Sequence, residues 1–339
     1  MNIKGNKWIL RIAMFALICV SLIVIRNILE YKSPHGINQT RAFYEQPKNT
    51  IDVLAIGSSH VHCGVNTAEL WNKYGIAAYD FSAAEQPFWI TYHYLKEAYK
   101  YQSPKVVVLD VFSAARFKED FHYKWLEESV YGLRFSKNKL DMINVSIEDE
   151  YRSDYFPSYL TYHNRYIDLN KEDLYNIFGN HREKMIFKGF TPGFNVVDQS
   201  EAFGGWDELD DYHLTPKYEE YLKKIIELTK EHGSKLMIIV VPYNLDKRDA
   251  VTYEEIEGIA KASGVTFIDF NNQLDEIGID KSSDFNDHTH LNYYGSVKFS
   301  DHLGKLLKDE ADLPDRRGSS GYGSWDEFAK RITDEANSK

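Results

Sequence analysis

Two short stretches hold side chains that could act together on an ester. Near the start, Gly57-Ser58-Ser59-His60 puts hydroxyls where a helix is expected to open. Near the end, Asp284-Phe285-Asn286-Asp287-His288-Thr289-His290 concentrates carboxylates and imidazoles. A serine is a weak attacker unless an imidazole takes its proton and a carboxylate orients that imidazole. Asp287 and His290, three residues apart, fit one turn that sets a carboxylate beside an imidazole. At a helix start, exposed N–H groups and the positive end of the helix dipole can steady an oxyanion. The same residue types offer a second chemistry. Asp284, Asp287, His288 and His290, with His60 and His62, could supply oxygen and nitrogen ligands to zinc or a similar ion. D-x-x-D-H-x-H fits no metal signature, however, and no cofactor is implied.

These residues need elements to carry them. IDVLAIG (51–57), AAYDF (77–81), KVVVLDV (105–111), KLMIIVV (235–241) and VTFIDF (265–270) read as strands. Helices are expected over His60–Lys73, Pro87–Tyr101 and Pro216–His232, the last with Thr215 as N-cap and Gly233 as its stop. Thr252 and Glu255 read as the capping box of a helix ending near Gly264, and a final helix runs from Tyr293 to Lys308. This alternation predicts a parallel sheet with helices on both faces. Ligands of such sheets lie at the carboxyl ends of the strands. That edge collects Ser58, His60, Glu85, Gln86, Asp110 and Tyr243 as candidate oxyanion or substrate-binding residues. Plainer roles compete: surface positions for His60 and His62, loop-amide binding for Asp110, and a small buried side chain for Cys63.

Between Phe112 and Leu214 the rhythm breaks. Residues 113–214 are expected to form a partly helical insertion over one end of the sheet, rich in Tyr123, Trp125, Tyr131, Tyr151, Tyr155, Phe156, Tyr159, Tyr162, Tyr166 and Trp206. The aromatics read either as a sugar-binding platform or as the insertion's own core.

From Trp8 to Ile25 only Arg11 is charged, and eighteen helical residues rise about 27 Å, enough to cross a bilayer core. Lys4, Lys7 and Arg11 favour a cytoplasmic tail at residues 1–7, and no small-residue cleavage site follows the apolar run. The expectation is an uncleaved, single-pass anchor over 8–28, a stalk over 29–48, a catalytic domain over 49–310 and a linker and tail over 311–339. Within that last segment DRRGSSGYGS reads as a flexible linker and WDEFAKRI as a short amphipathic helix docked on the domain's surface. The catalytic domain would lie outside the cytoplasm of a bacterial cell. Cys19 would then sit in lipid, unable to pair with Cys63. The chain carries −11 formally, and the segment after residue 29, freed of four basic residues, carries −15. So acidic a body speaks against nucleic-acid binding.

GSS near the start, D-x-x-H near the end and a five-stranded βα core between them resemble the SGNH (GDSL-like) hydrolases. The resemblance implies a flavodoxin-like three-layer α/β sandwich around a central five-stranded parallel sheet. Carried over, its nucleophile is Ser59, with Ser58 in the Asp position of the G-D-S triplet, and its acid and base are Asp287 and His290. The second block falls on DFSAAEQ, where Asp80, Ser82 and Glu85 replace Asn, Gly and Gly. The third-block Asn is absent from Asp110-Val111-Phe112-Ser113. The oxyanion hole would then use the backbone N–H of Ser59 and Glu85, with the Gln86 side chain as a candidate. An anchored domain of this kind is similar to proteins that work beside membrane-bound O-acyltransferases, such as teichoic acid D-alanine-transfer proteins and alginate acetyltransferases. His163 and Arg165, within Tyr162–Tyr166, look like a His/Arg-aromatic segment of such proteins. The implied activity is transfer or removal of O-acetyl-type groups on a cell-surface polysaccharide, with an O-acyltransferase as partner. A non-catalytic glycan-binding or assembly role stays open because the second and third blocks depart from the pattern.

Overall fold

The structure is a computed structural model that describes residues 3–29, 35–155, 166–167, 169, 171, 173, 186–201, 206 and 208–339. Two compact units emerge, Met1–Lys32 with Asp149–Glu183, and Ser33–Glu148 with Lys184–Lys339. In the first, α1 (Ile3–Leu29) is one continuous helix, and Lys7–Leu29 is long and apolar enough to cross a membrane.

The second unit is an α/β body. In chain order its elements are α2 (Ile37–Glu45), β1 (Val53–Ile56), α3 (Ser59–Gly64), α4 (Thr67–Tyr74), β2 (Ala78–Asp80), α5 (Phe88–Ala98), β3 (Val106–Asp110), α6 (Phe112–Arg116), α7 (Leu126–Tyr131) and α8 (Lys137–Ser146). After these come α9 (Pro216–Glu231), β4 (Lys235–Val240), α10 (Ala250–Ala262), β5 (Thr266–Asp269), α11 (Tyr293–Glu310) and α12 (Gly323–Asn337). The strands form one parallel sheet in the order β2-β1-β3-β4-β5. Side chains alternate between its faces. Val53, Ala55, Val106, Val108, Met237 and Ile239 meet Val61, Leu70, Phe299 and Leu303 in one core layer. Leu54, Ile56, Val107, Leu109, Ile238 and Val240 are buried on the opposite face, where α9 packs on β4 and α5 on α9. Both faces are covered, which is why the central strands read as continuous apolar runs.

β1 has β2 on one side and β3 on the other, so the chain leaves it in opposite directions. That reversal opens a crevice at the carboxyl ends of β1 and β3, the usual ligand position in such sheets.

Several expectations need correction. The helix expected over His60–Lys73 is two helices, because Asn66 starts a new one by accepting from the N–H groups of Ala68 and Glu69. The capping box is not formed. α10 begins earlier, Thr252 Oγ1 donates to the Tyr212 carbonyl, and Glu255 accepts from Leu214 N at 2.6 Å. The stalk is not free over 37–45: α2 buries Ile37, Ala42 and Phe43, and Phe43 stacks on Phe81 at 4.3 Å. Nor is the segment after Pro314 a loose linker. Arg316 clamps Asp52 with two bonds of 2.7 and 2.8 Å. The helix expected at WDEFAKRI is present and longer, as α12, and buries Trp325, Phe328 and Ile332 beside α4.

Candidate active site

Gly57 makes the turn from β1 into α3 at φ +144°, where a Cβ would lie 3.0 Å from the Asp110 carbonyl oxygen. The turn places Ser58 at the N-cap and Ser59 at the first residue of α3. From the far end of the chain, the loop between β5 and α11 brings its imidazole to meet it. His290 Nε2 lies 2.7 Å from Ser59 Oγ, and His290 Nδ1 lies 2.9 and 3.0 Å from the two oxygens of Asp287. The three side chains are in line, hydroxyl to imidazole to carboxylate.

Asp287 Oδ1 also accepts the N–H groups of Thr289 (2.8 Å) and His290 (3.0 Å) and the Thr289 hydroxyl (2.9 Å). Burial pushes the Asp287 carboxyl up, but the hydrogen bond and charge of His290, with the Thr289 donors, outweigh it. The carboxyl is held well below the usual range. It stays an anion facing Nδ1, which keeps the proton on Nδ1 and leaves Nε2 as the acceptor toward Ser59.

The other expected residues divide. Ser58 Oγ lies 3.4 Å from Asp110 Oδ2 and away from the imidazole. Asp110 accepts Val241 N and Phe112 N, binding the ends of β1, β3 and β4 together. Burial raises its carboxyl to about 7 against the pull of these bonds. His60 and His62 are fully buried, contrary to the surface placement, because α3 is tucked beneath its neighbours. His60 stacks on Phe112 at 3.7 Å and lies 5.1 Å from the His290 ring, and among the described residues neither of its ring nitrogens has a hydrogen-bond partner. His62 Nδ1 meets Ser82 Oγ at 3.1 Å. Burial drives both imidazoles well below their ordinary range, with the nearby His290 adding to it for His60. Burial acts in the opposite direction on Cys63 and raises its thiol, which makes it a poor nucleophile.

Glu85 sits at φ +49°, and its carboxylate is taken by His122 at 2.8 Å and by Lys124. Gln86 Nε2 donates to Thr91 Oγ1, and its Oε1 is buried with no hydrogen-bond partner among the described residues. Tyr243 donates to Asp249 at 2.9 Å and presents only its ring to His60, so its hydroxyl is turned from the crevice. His163 and Arg165 lie outside the described residues.

Asp284 turns away to Lys298 and Asp280 N, and His288 pairs with Gln199. Among the described residues no three of His, Cys, Asp or Glu gather closely enough to hold a metal ion. Sequence reasoning passed over Thr289 and Gln199. Asp-x-Thr is a turn pattern that could have flagged the first, whereas Gln199 reaches His288 across 89 residues and leaves no local trace.

No family model matches the chain, and no curated protein does. Among solved structures it is similar to a Bacteroides fragilis protein assigned as an acylhydrolase. The two share 10% identity at a TM-score of 0.39, over 80% of this chain and 94% of that one. It is also similar to a Parabacteroides merdae protein assigned as a GDSL-like lipase, at 10% identity and a TM-score of 0.36, over 78% and 98%. At that identity and score the likeness reaches neither activity nor substrate.

Proposed function

We propose that this chain is a serine acyl-ester enzyme of the SGNH (GDSL-like) type. The observation that carries the reading is the 2.7 Å approach of His290 Nε2 to Ser59 Oγ, with Asp287 on the other imidazole nitrogen. As Ser59 Oγ bonds to the acyl carbon, its proton passes to His290 Nε2 and the carbonyl becomes a tetrahedral oxyanion. The intermediate collapses with loss of the donor's alkoxide, which takes the proton from His290. A second hydroxyl then gives its proton to His290, attacks acyl-Ser59 and leaves as the new ester, and the serine regains its hydrogen. With water as that hydroxyl the reaction is hydrolysis; with a sugar it is transfer.

The acceptor we assign is a cell-surface polysaccharide, reached by an anchored domain outside the cytoplasm and served by a membrane-bound O-acyltransferase. The apolar helix α1 supports the anchor. Trp125 and Tyr123, exposed among the described aromatics, support contact with sugar faces. The body's charge of −15 favours a neutral glycan over a polyphosphate. Slow hydrolysis of 4-nitrophenyl acetate should be lost on Ser59→Ala, Asp287→Ala or His290→Ala, with double variants no worse than the worst single. Full turnover by Ser59→Ala would end the reading. Deletion in the native host should remove O-acyl groups from a surface glycan; a gain of such groups would mark an esterase instead.

A further inference from the structure

Thr289 stands between the acid and the base of the site and touches both. Its Oγ1 lies 2.9 Å from Asp287 Oδ1 and 2.7 Å from His290 Nδ1. A hydroxyl has one hydrogen to give and lone pairs to receive. His290 Nδ1 carries a hydrogen when Nε2 faces Ser59, so at that contact Thr289 accepts. Its own hydrogen is then free for the carboxylate, which can only accept. One residue thus closes a three-membered ring of bonds: Nδ1–H to Oγ1, Oγ1–H to Oδ1, and Nδ1–H shared with the carboxylate.

We propose that Thr289 is a positioning residue that locks the His290 tautomer and ring plane through simultaneous bonds to Asp287 and His290. This rests on the serine-enzyme reading of the same site. The ring explains how a half-exposed carboxylate can hold its partner. The Asp287 side chain is 45% exposed, so water competes for both oxygens. Asp287 Oδ1 is instead occupied by donors from its own turn, two backbone N–H groups and the Thr289 hydroxyl. The backbone donors fix the carboxylate but do not touch the imidazole ring. Only the hydroxyl reaches Nδ1 as well. It supplies a second acceptor for the N–H that strengthens as the imidazolium forms, at a distance that needs no movement during the reaction.

The test is steady-state hydrolysis of 4-nitrophenyl acetate by the full chain in detergent, across wild type, Thr289→Val, Thr289→Ser and Ser59→Ala. Valine keeps the shape and removes the hydroxyl. It should lower kcat about tenfold with KM within about twofold, since only the alignment of the base is lost. Thr289→Ser should restore kcat to within about threefold of wild type. Thr289→Ala repeats the loss without a branched methyl should valine fail to fold. Wild-type kcat in both hydroxyl-free variants, or a serine variant as slow as they are, overturns the proposal. Turnover that survives Ser59→Ala overturns the underlying reading instead. Turnover that needs Ser59 and ignores position 289 overturns this inference alone.

Discussion

The most quantitative consequence of the fold concerns Asp110, a carboxyl buried completely where β1, β3 and β4 end. Ser58 Oγ, Phe112 N and Val241 N hydrogen-bond it, and among the described residues no cation pairs with it directly. Burial therefore wins, and the folded protein keeps the proton to about pH 7, against 3.8 for a free side chain. The sign follows from proton counting. Between pH 4 and 7 the folded state holds a proton that the unfolded chain has released, so stability is fully present below pH 4 and falls as pH rises to 7. The slope is about 1.4 kcal/mol per pH unit, so roughly 3 kcal/mol is lost between about pH 5 and 8. Asp110→Asn cannot ionise and should lack this component. It should melt lower than wild type at low pH, having lost one acceptor oxygen. By about pH 8 that deficit should shrink or reverse. Melting temperatures of both proteins from about pH 5 to 8 measure the effect, and the difference between the curves should change by about 6–12 °C. Comparing the two cancels every other titrating group. Parallel curves would mean that Asp110 ionises normally in its buried position, and the desolvation argument would be wrong.

Ser58→Ala should keep esterase turnover within about threefold of wild type, because its hydroxyl faces Asp110 and not His290; abolished turnover would shift the nucleophile by one residue. Gly189→Ala should destabilise the body by about 3 kcal/mol or more. Its φ is +91° and a Cβ would lie 2.1 Å from the Asp80 carbonyl oxygen, which denaturant melts would register and an unchanged midpoint would refute. The full chain should fractionate with membranes and resist carbonate extraction, and removal of residues 1–29 should release it; a soluble full-length chain would contradict α1 as an anchor.

Much of this protein is local and therefore legible in its sequence. Strands with both faces buried need uninterrupted apolar runs, and KVVVLDV and KLMIIVV announce β3 and β4 without reference to anything distant. Thr215-Pro216 starts α9 through bonds made within one turn. The Asp287–His290 pair is local too, since three residues of a turn suffice to join them. What the sequence could not decide depends on contacts between distant segments. Ser59 and His290 are 231 residues apart, and only the parallel sheet, by putting every strand's carboxyl end on one edge, brings them to 2.7 Å. The same packing sinks His60 and His62, whose polarity suggested the surface, because burial belongs to the layers above a helix and not to its residue types. It also recruits α2 from a segment that read as stalk, and sinks α12, expected as a short surface-docked helix, into the core. Their few apolar residues, Phe43 and Trp325 among them, become core only once Phe81 and Trp71 are there to receive them. Asp110 shows the same division: its type and place at a strand end are local, but its raised proton affinity comes from desolvation, which three converging strands impose together.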